Sequence, residues 1–234
     1  MLRITDLEVA YGGYQVIWGV SMHIDEGETV CILGPNGAGK STVMNSITGL
    51  VKPKAGIVEF CGEVLNKVPT HQIVCKGLAH VLERRRLFPY LTVYQNLILG
   101  ALRGEARENR EESLEEVFTL FPRLRERRSQ SARTLSGGEQ QMVAIARGLM
   151  SKPRLLMIDE PFLGLAPIFQ SIIVDTIKKV RDSGITILFI EQNVQDALAI
   201  SDRGYILESG RVAVTGTGEE LLASDEVRKV YMGM

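Results

Sequence analysis

At 234 residues the chain is long enough to bury a core of its own and corresponds to one domain, or to a domain with an inserted subdomain. Hydrophobic residues at 45% and charged residues at 24% exclude wholesale disorder, and 27 Lys and Arg against 28 Asp and Glu exclude a protein whose main task is gripping a nucleic-acid backbone. No apolar run is long enough to span a bilayer, residues 1–9 alternate and carry acids as no signal peptide does, and Cys31, Cys61 and Cys75 are too scattered for a disulfide framework or zinc site; they read as small, reduced apolar residues of a cytosolic protein.

In chain order, alternation over residues 2–9 and 20–24 predicts two half-buried strands. The unbroken apolar run at 29–33 predicts a strand covered on both faces. A Gly-rich turn at 34–39 follows, then a helix over 40–48 closed by Gly49. Over 105–121, Leu114, Val117, Phe118 and Phe121 fall at helical spacing amid dense charge, and no strand signal occurs from Leu102 to Met150; the stretch reads as a helical insertion. Residues 155–158 and 185–190 predict two more buried strands, with a helix over 168–181 between them. A hairpin turning at Ser209-Gly210 and short helices at 219–223 and 226–231 finish the chain. Strands alternating with helices predict an α/β fold on a mostly parallel sheet.

The first chemical motif is Gly34-Pro35-Asn36-Gly37-Ala38-Gly39-Lys40-Ser41, set between a predicted strand and a predicted helix as a phosphate loop requires. Its glycines let backbone N–H groups converge on phosphate oxygens, and the helix N-terminus adds partial positive charge. Lys40 is expected to reach the β- and γ-phosphates and the Ser41 hydroxyl to ligate Mg²⁺. The second motif is the apolar strand ending in Asp159-Glu160, which places carboxylates at the carboxyl edge of the sheet. Asp159 is expected to hold Mg²⁺, and Glu160 to orient or deprotonate the attacking water.

Leu135-Ser136-Gly137-Gly138-Glu139-Gln140-Gln141 supplies the third. Read locally, Ser136 and Glu139 form a capping box on the helix that carries Met142 to Met150. The two glycines leave that helix N-terminus bare, ready for an anion from another molecule. With the two phosphate motifs in order, this segment resembles the signature of ATP-binding-cassette (ABC) proteins, and the resemblance covers essentially the whole chain. It implies a P-loop NTPase (RecA-like) core with an antiparallel β-subdomain and an inserted α-helical signature subdomain. Residues 1–83 plus 152–234 would form the core and β-subdomain, and about 84–151 the helical subdomain, of a single ABC ATPase domain. The implied cofactors are ATP and Mg²⁺. Head-to-tail dimers would sandwich each ATP between Gly34–Thr42 of one subunit and Ser136, Gly137 and Gly138 of the other, with Thr42 closing the loop and Tyr11 stacked on adenine.

The family's glutamine between core and helical subdomain is replaced by Glu83, its histidine after the third core strand by Gln192, and the aspartate of the loop after Glu160 by Ala166. Gln192 can donate a hydrogen bond to the γ-phosphate but cannot become cationic. Residues 85–93, Leu163-Gly164-Leu165-Ala166-Pro167, Glu191-Gln192-Asn193-Val194 and the ending 226–231 resemble one of the two ATPase subunits of branched-chain amino-acid importers. ATPases for urea or short amides are similar, as is the lipopolysaccharide-export ATPase at its C-terminus, although that exporter keeps the histidine. The resemblance implies two membrane permease subunits, a second ABC ATPase subunit and an extracytoplasmic solute-binding protein, with the chain peripheral on the cytoplasmic face of the inner membrane and no nucleic-acid partner. Two rival functions are a soluble cassette ATPase acting on nucleic acid or ribosomes, disfavoured by the single cassette and the net charge of −1, and a regulatory ATP-binding module with little hydrolysis, opposed by Glu160 but left open by Gln192 and Ala166 at one of two unequal sites.

Arg84–Arg86 read as a solvated basic loop or a dock for a membrane subunit. The arginines from Arg123 to Arg128 are balanced by Glu112, Glu115, Glu116 and Glu126 and read as a solvated helix face. His23, His71 and His80 show no metal-ligand spacing, and core packing is the expectation for Trp18.

Overall fold

The computed structural model describes residues 1–102 and 104–231. In chain order its elements are β1 (Leu2–Tyr11), β2 (Tyr14–Ile24), β3 (Thr29–Leu33), α1 (Lys40–Ile47), β4 (Ala55–Phe60), β5 (Glu63–Val64), α2 (Thr70–Ile73), β6 (Leu78–Val81), α3 (Val93–Ile98), α4 (Gly104–Glu108), α5 (Arg110–Leu120), α6 (Pro122–Glu126), α7 (Gly137–Leu149), β7 (Leu155–Asp159), α8 (Pro167–Asp182), β8 (Thr186–Glu191), α9 (Val194–Leu198), β9 (Arg203–Glu208), β10 (Arg211–Thr217), α10 (Gly218–Ala223) and α11 (Asp225–Tyr231). They form two compact units, Met1–Ile73 with Thr186–Met234, and Val74–Ile185.

In the first unit an antiparallel sheet runs β2-β1-β4-β5, and a second set of strands runs β10-β9-β3-β8 with β3 parallel to both neighbours. Every residue of β3 and β8 is buried, as expected of central parallel strands covered on both faces. β1 instead alternates, with a slip: Leu2 and Ile4 point inward, then Leu7 and Val9, because the register shifts between Ile4 and Leu7 and Asp6 takes φ 47°. Ser21 fixes that bulge by donating to the Asp6 carboxylate (3.1 Å) and accepting from its N–H (2.9 Å).

In the second unit β6 and β7 pair in parallel, and the described helices between them carry the insertion the sequence predicts. Its core includes Val93, Leu97, Leu114, Phe118, Phe121 and Leu124, with Val143 and Ile145 of α7. The helix expected over 105–121 is two helices, α4 and α5, broken at Asn109, whose backbone leaves the helical region (φ −96°, ψ 22°). The structure also adds β4, β5, β6, α2 and α3, none longer than six residues and so too short to print a period. No described helix is long and apolar enough to cross a membrane.

One expectation about a single residue is overturned. Trp18 is not in the core: 44% of it is exposed, with the Arg211 guanidinium 5.5 Å from its ring centre. Of the cysteines only Cys31 is buried, its thiol pushed up to about 12 by burial, whereas Cys61 and Cys75 are exposed.

Candidate functional site

The phosphate loop leaves β3 and enters α1 through a backbone only glycine tolerates. Gly34 takes φ 142° and Gly39 φ 105°; a Cβ on Gly34 would strike the Leu207 carbonyl, and one on Gly39 would lie 2.5 Å from Cδ1 of buried Ile17. On its other side the loop is open. Pro35, Asn36 and Gly37 are exposed, and a Cβ on Gly37 would meet nothing within 4 Å. Lys40 is buried and its ammonium bridges the loop, donating to the carbonyls of Gly34 (2.8 Å) and Pro35 (3.2 Å). Gly39 caps α1 without a side chain, which leaves the first-turn N–H groups to the loop. Ser41 is exposed beside them, Thr42 is buried, and the Tyr11 hydroxyl lies 3.5 Å from Thr42 Oγ1. Pairing of Leu33 with Glu191 brings Gln192 to the strand edge where Gly34 begins. Gln192 is exposed, and its N–H donates to the buried Glu191 carboxylate at 3.1 Å.

The second unit gathers the remaining candidates. Val81 pairs with Ile158, so Glu83 and the Asp159-Glu160 pair leave the same edge of two neighbouring strands. Asp159 is buried, whereas Glu160 is half-buried in a left-handed backbone with φ 48°. Such a conformation in a residue other than glycine is held against a cost of order 1–3 kcal/mol and is concentrated at functional sites. Glu83 accepts from Arg84 Nε at 3.3 Å. Arg84, Arg85 and Arg86 are all left-handed (φ 58°, 66° and 44°), and Arg147 holds this turn by donating to the carbonyls of Arg85 (3.2 Å) and Arg86 (3.0 Å).

The expected capping box opens α7. Ser136 accepts from the Glu139 N–H at 3.3 Å, and the Glu139 carboxylate accepts from the Ser136 N–H at 2.9 Å. The glycines between them are less bare than the sequence implies. Gly137 is half-buried, with Arg85 Nη2 3.3 Å from where its Cβ would stand, and a Cβ on Gly138 would strike the Phe169 ring. Arg127 (2.8 Å) and Arg123 (3.7 Å) reach buried Glu139, so these two arginines serve the signature helix. Burial pushes the Glu139 carboxyl up, but the Ser136 bonds and both guanidinium groups outweigh it and hold the group below the usual carboxylate range. Sequence reasoning missed Phe169, Arg85, Arg123 and Arg127 because each acts through a fold contact with no fixed spacing.

These residues suit a magnesium nucleotide. An open glycine turn, a helix N-terminus, an ammonium and a hydroxyl are the donors a polyphosphate needs. No group of three His, Cys, Asp or Glu side chains that could hold a metal occurs among the described residues. Mg²⁺ needs none, since it takes one or two carboxylates and fills its shell with phosphate oxygens and water.

Comparison with known proteins agrees with this chemistry. Residues 17–163 match the family described as ABC transporter. The chain is 43% identical to the high-affinity branched-chain amino acid transport ATP-binding protein BraG of Pseudomonas aeruginosa, over 100% of both chains. It is 40% identical to the probable branched-chain amino acid transport ATP-binding protein LivF of Archaeoglobus fulgidus, over 100% of this chain and 99% of the other. A crystal structure of a nucleotide-free ATP-binding cassette from an ABC transporter superposes with a TM-score of 0.86 at 28% identity, covering 100% of this chain and 99% of that one.

Proposed function

The chain belongs to the ABC transporter family, and from that premise we propose that it is the ATP-binding and ATP-hydrolysing subunit that powers an importer of branched-chain amino acids. The observation that carries the ATPase reading is the phosphate loop, where the buried Lys40 ammonium donates to the carbonyls of Gly34 and Pro35 beside an open glycine turn. An incoming triphosphate offers that ammonium better, anionic acceptors. Full-length likeness to BraG and LivF supports the branched-chain amino-acid reading.

In this reading Gly34 to Thr42 bind the phosphates, Tyr11 stacks on adenine, and Lys40 moves from the loop carbonyls to the β- and γ-phosphates. Ser41 and Asp159 would hold Mg²⁺, with Glu83 as a further oxygen donor. When bound, the ion would offset the negative charge of the phosphates. Glu160 accepts the proton of the attacking water and Gln192 donates a hydrogen bond to the γ-phosphate. Ser136, Gly137 and Gly138 face the ATP of a second ABC ATPase subunit, arranged head-to-tail. Residues 1–83 with 152–234 act as core and about 84–151 as helical subdomain. Two membrane permeases and an extracytoplasmic binding protein complete the complex, which holds the chain on the cytoplasmic face of the inner membrane.

The test is Glu160→Gln, which keeps size and hydrogen bonding but removes the base. ATP hydrolysis is expected to fall by about 10²-fold or more while ATP binding persists. Hydrolysis at the parent rate would reassign the base. Loss of branched-chain amino-acid uptake on deletion, restored by the parent chain and not by Glu160→Gln, tests the importer reading; a defect in lipopolysaccharide export instead would favour the exporter.

A further inference from the structure

The back of the phosphate loop rests on a turn that the nucleotide itself would not touch. The β9–β10 hairpin reverses at Ser209-Gly210, with φ 46° and 76°. There the Gly210 N–H donates to the carbonyl of Ala38 at 3.0 Å, and the Gly210 carbonyl accepts the Trp18 N–H at 2.9 Å. Arg211 closes the arrangement, donating from Nη1 to the Trp18 carbonyl at 3.2 Å with its guanidinium over the indole. The turn therefore ties β2 to the loop, and Gly210 alone makes both backbone bonds. A Cβ at Gly210 would collide with the Val16 carbonyl, and its Cα already stands 3.7 Å from where a Cβ on Gly39 would be.

We infer that Gly210 is a positioning residue for the nucleotide, acting through the Ala38 peptide, with Arg211 holding the turn against Trp18. An anion-binding loop works only if its N–H groups converge and its carbonyls point away. Taking the Ala38 carbonyl as acceptor fixes that peptide in the orientation that turns the following N–H, of Gly39, toward the open side of the loop. The loop then needs no rearrangement when phosphate arrives, and the entropy of ordering it is already spent in the free protein. Trp18, the only tryptophan in the chain, sits on this clip and reports on it. The inference rests on the nucleotide reading above and deepens it.

The experiment measures equilibrium binding of MgATP to the full chain together with Trp18 emission, for the parent, Gly210→Ala, Arg211→Ala, Arg211→Lys and Lys40→Ala. Gly210→Ala is expected to weaken ATP binding about tenfold and to shrink the ATP-induced change in emission, with the far-ultraviolet spectrum kept. Arg211→Ala gives a smaller loss in the same direction, about threefold, and carries the test if Gly210→Ala does not fold. Arg211→Lys, which retains a cation and a donor, restores part of that loss. Parent-like affinity and emission change in Gly210→Ala or, should that fail to fold, in Arg211→Ala would overturn the positioning role while Lys40→Ala still abolished binding. If Lys40→Ala bound ATP as the parent does, the nucleotide site itself would be misassigned.

Discussion

His80 on β6 keeps both ring nitrogens buried with no hydrogen-bond partner. Burial alone pushes its pKa down to about 4. In the unfolded chain the ring titrates near its ordinary 6.5, so between these values the unfolded chain takes up a proton that the folded chain refuses. The folded state thus has its full stability above about pH 6.5 and loses it as pH falls toward about 4. At pH 5 the loss from this one group is about 2 kcal/mol. Chemical denaturation at pH 7.5 and pH 5 should show that difference in the parent and a difference smaller by about that amount in His80→Leu. An identical pH dependence in both would mean that the ring is not held neutral. His80 illustrates what a sequence conceals: the absence of metal-ligand spacing was readable, whereas its burial depended on the unforeseen strand that carries it.

At the scale of elements, the N-terminus of α7 is where local and tertiary interactions converge on one carboxylate. Glu139 closes the capping box with Ser136 and also receives Arg127 and Arg123 from the α6 region. Glu139→Ala removes the cap and leaves both guanidinium groups without that partner; the expected cost is about 2 kcal/mol by chemical denaturation, with faster amide exchange over residues 136–141. Glu139→Gln keeps the box and loses only the charge, so about half that cost is expected. Equal losses in the two variants would show that the ion pairs, not the cap, dominate. The box was legible because a Ser followed three residues later by Glu is a purely local pattern. The arginines were not, since their charge looked balanced by nearby glutamates on the same stretch. A similar division holds among the strands. Thr29–Leu33 was readable to the residue because both faces are buried and the run is unbroken, whereas Ala55–Phe60 mixes exposed and buried positions and shows no clean alternation. The helix expected over 105–121 failed at Asn109, where spacing continued but the backbone did not.

For the molecule as a working part, the informative surface lies after Glu160. Leu163 is 47% and Ile168 69% exposed, flanking exposed Ala166, which occupies the position where the family's pattern has aspartate. Exposed apolar side chains grouped beside the proposed catalytic residue Glu160 mark a place where another surface arrives. The proposed head-to-tail pairing supplies such a surface, and with Ala166 in place of a carboxylate the contact here is apolar. Burying an Ile side chain is worth about 1.5–3 kcal/mol, and introducing a carboxylate in its place adds a desolvation cost of its own. Ile168→Glu, made in the Glu160→Gln background so that ATP persists, is therefore expected to weaken ATP-dependent association more than tenfold in sedimentation velocity. Because Ile168 is exposed, the melting temperature without nucleotide should stay within about 2 °C of the background protein. Association at full strength in Ile168→Glu would place this face outside the subunit contact. Association lost together with ATP binding would mean that the substitution acts on the nucleotide site, and not on the seam. If the chain pairs only with a different ATPase, the background protein alone stays monomeric with ATP, and the same comparison made with the copurified partner decides the matter.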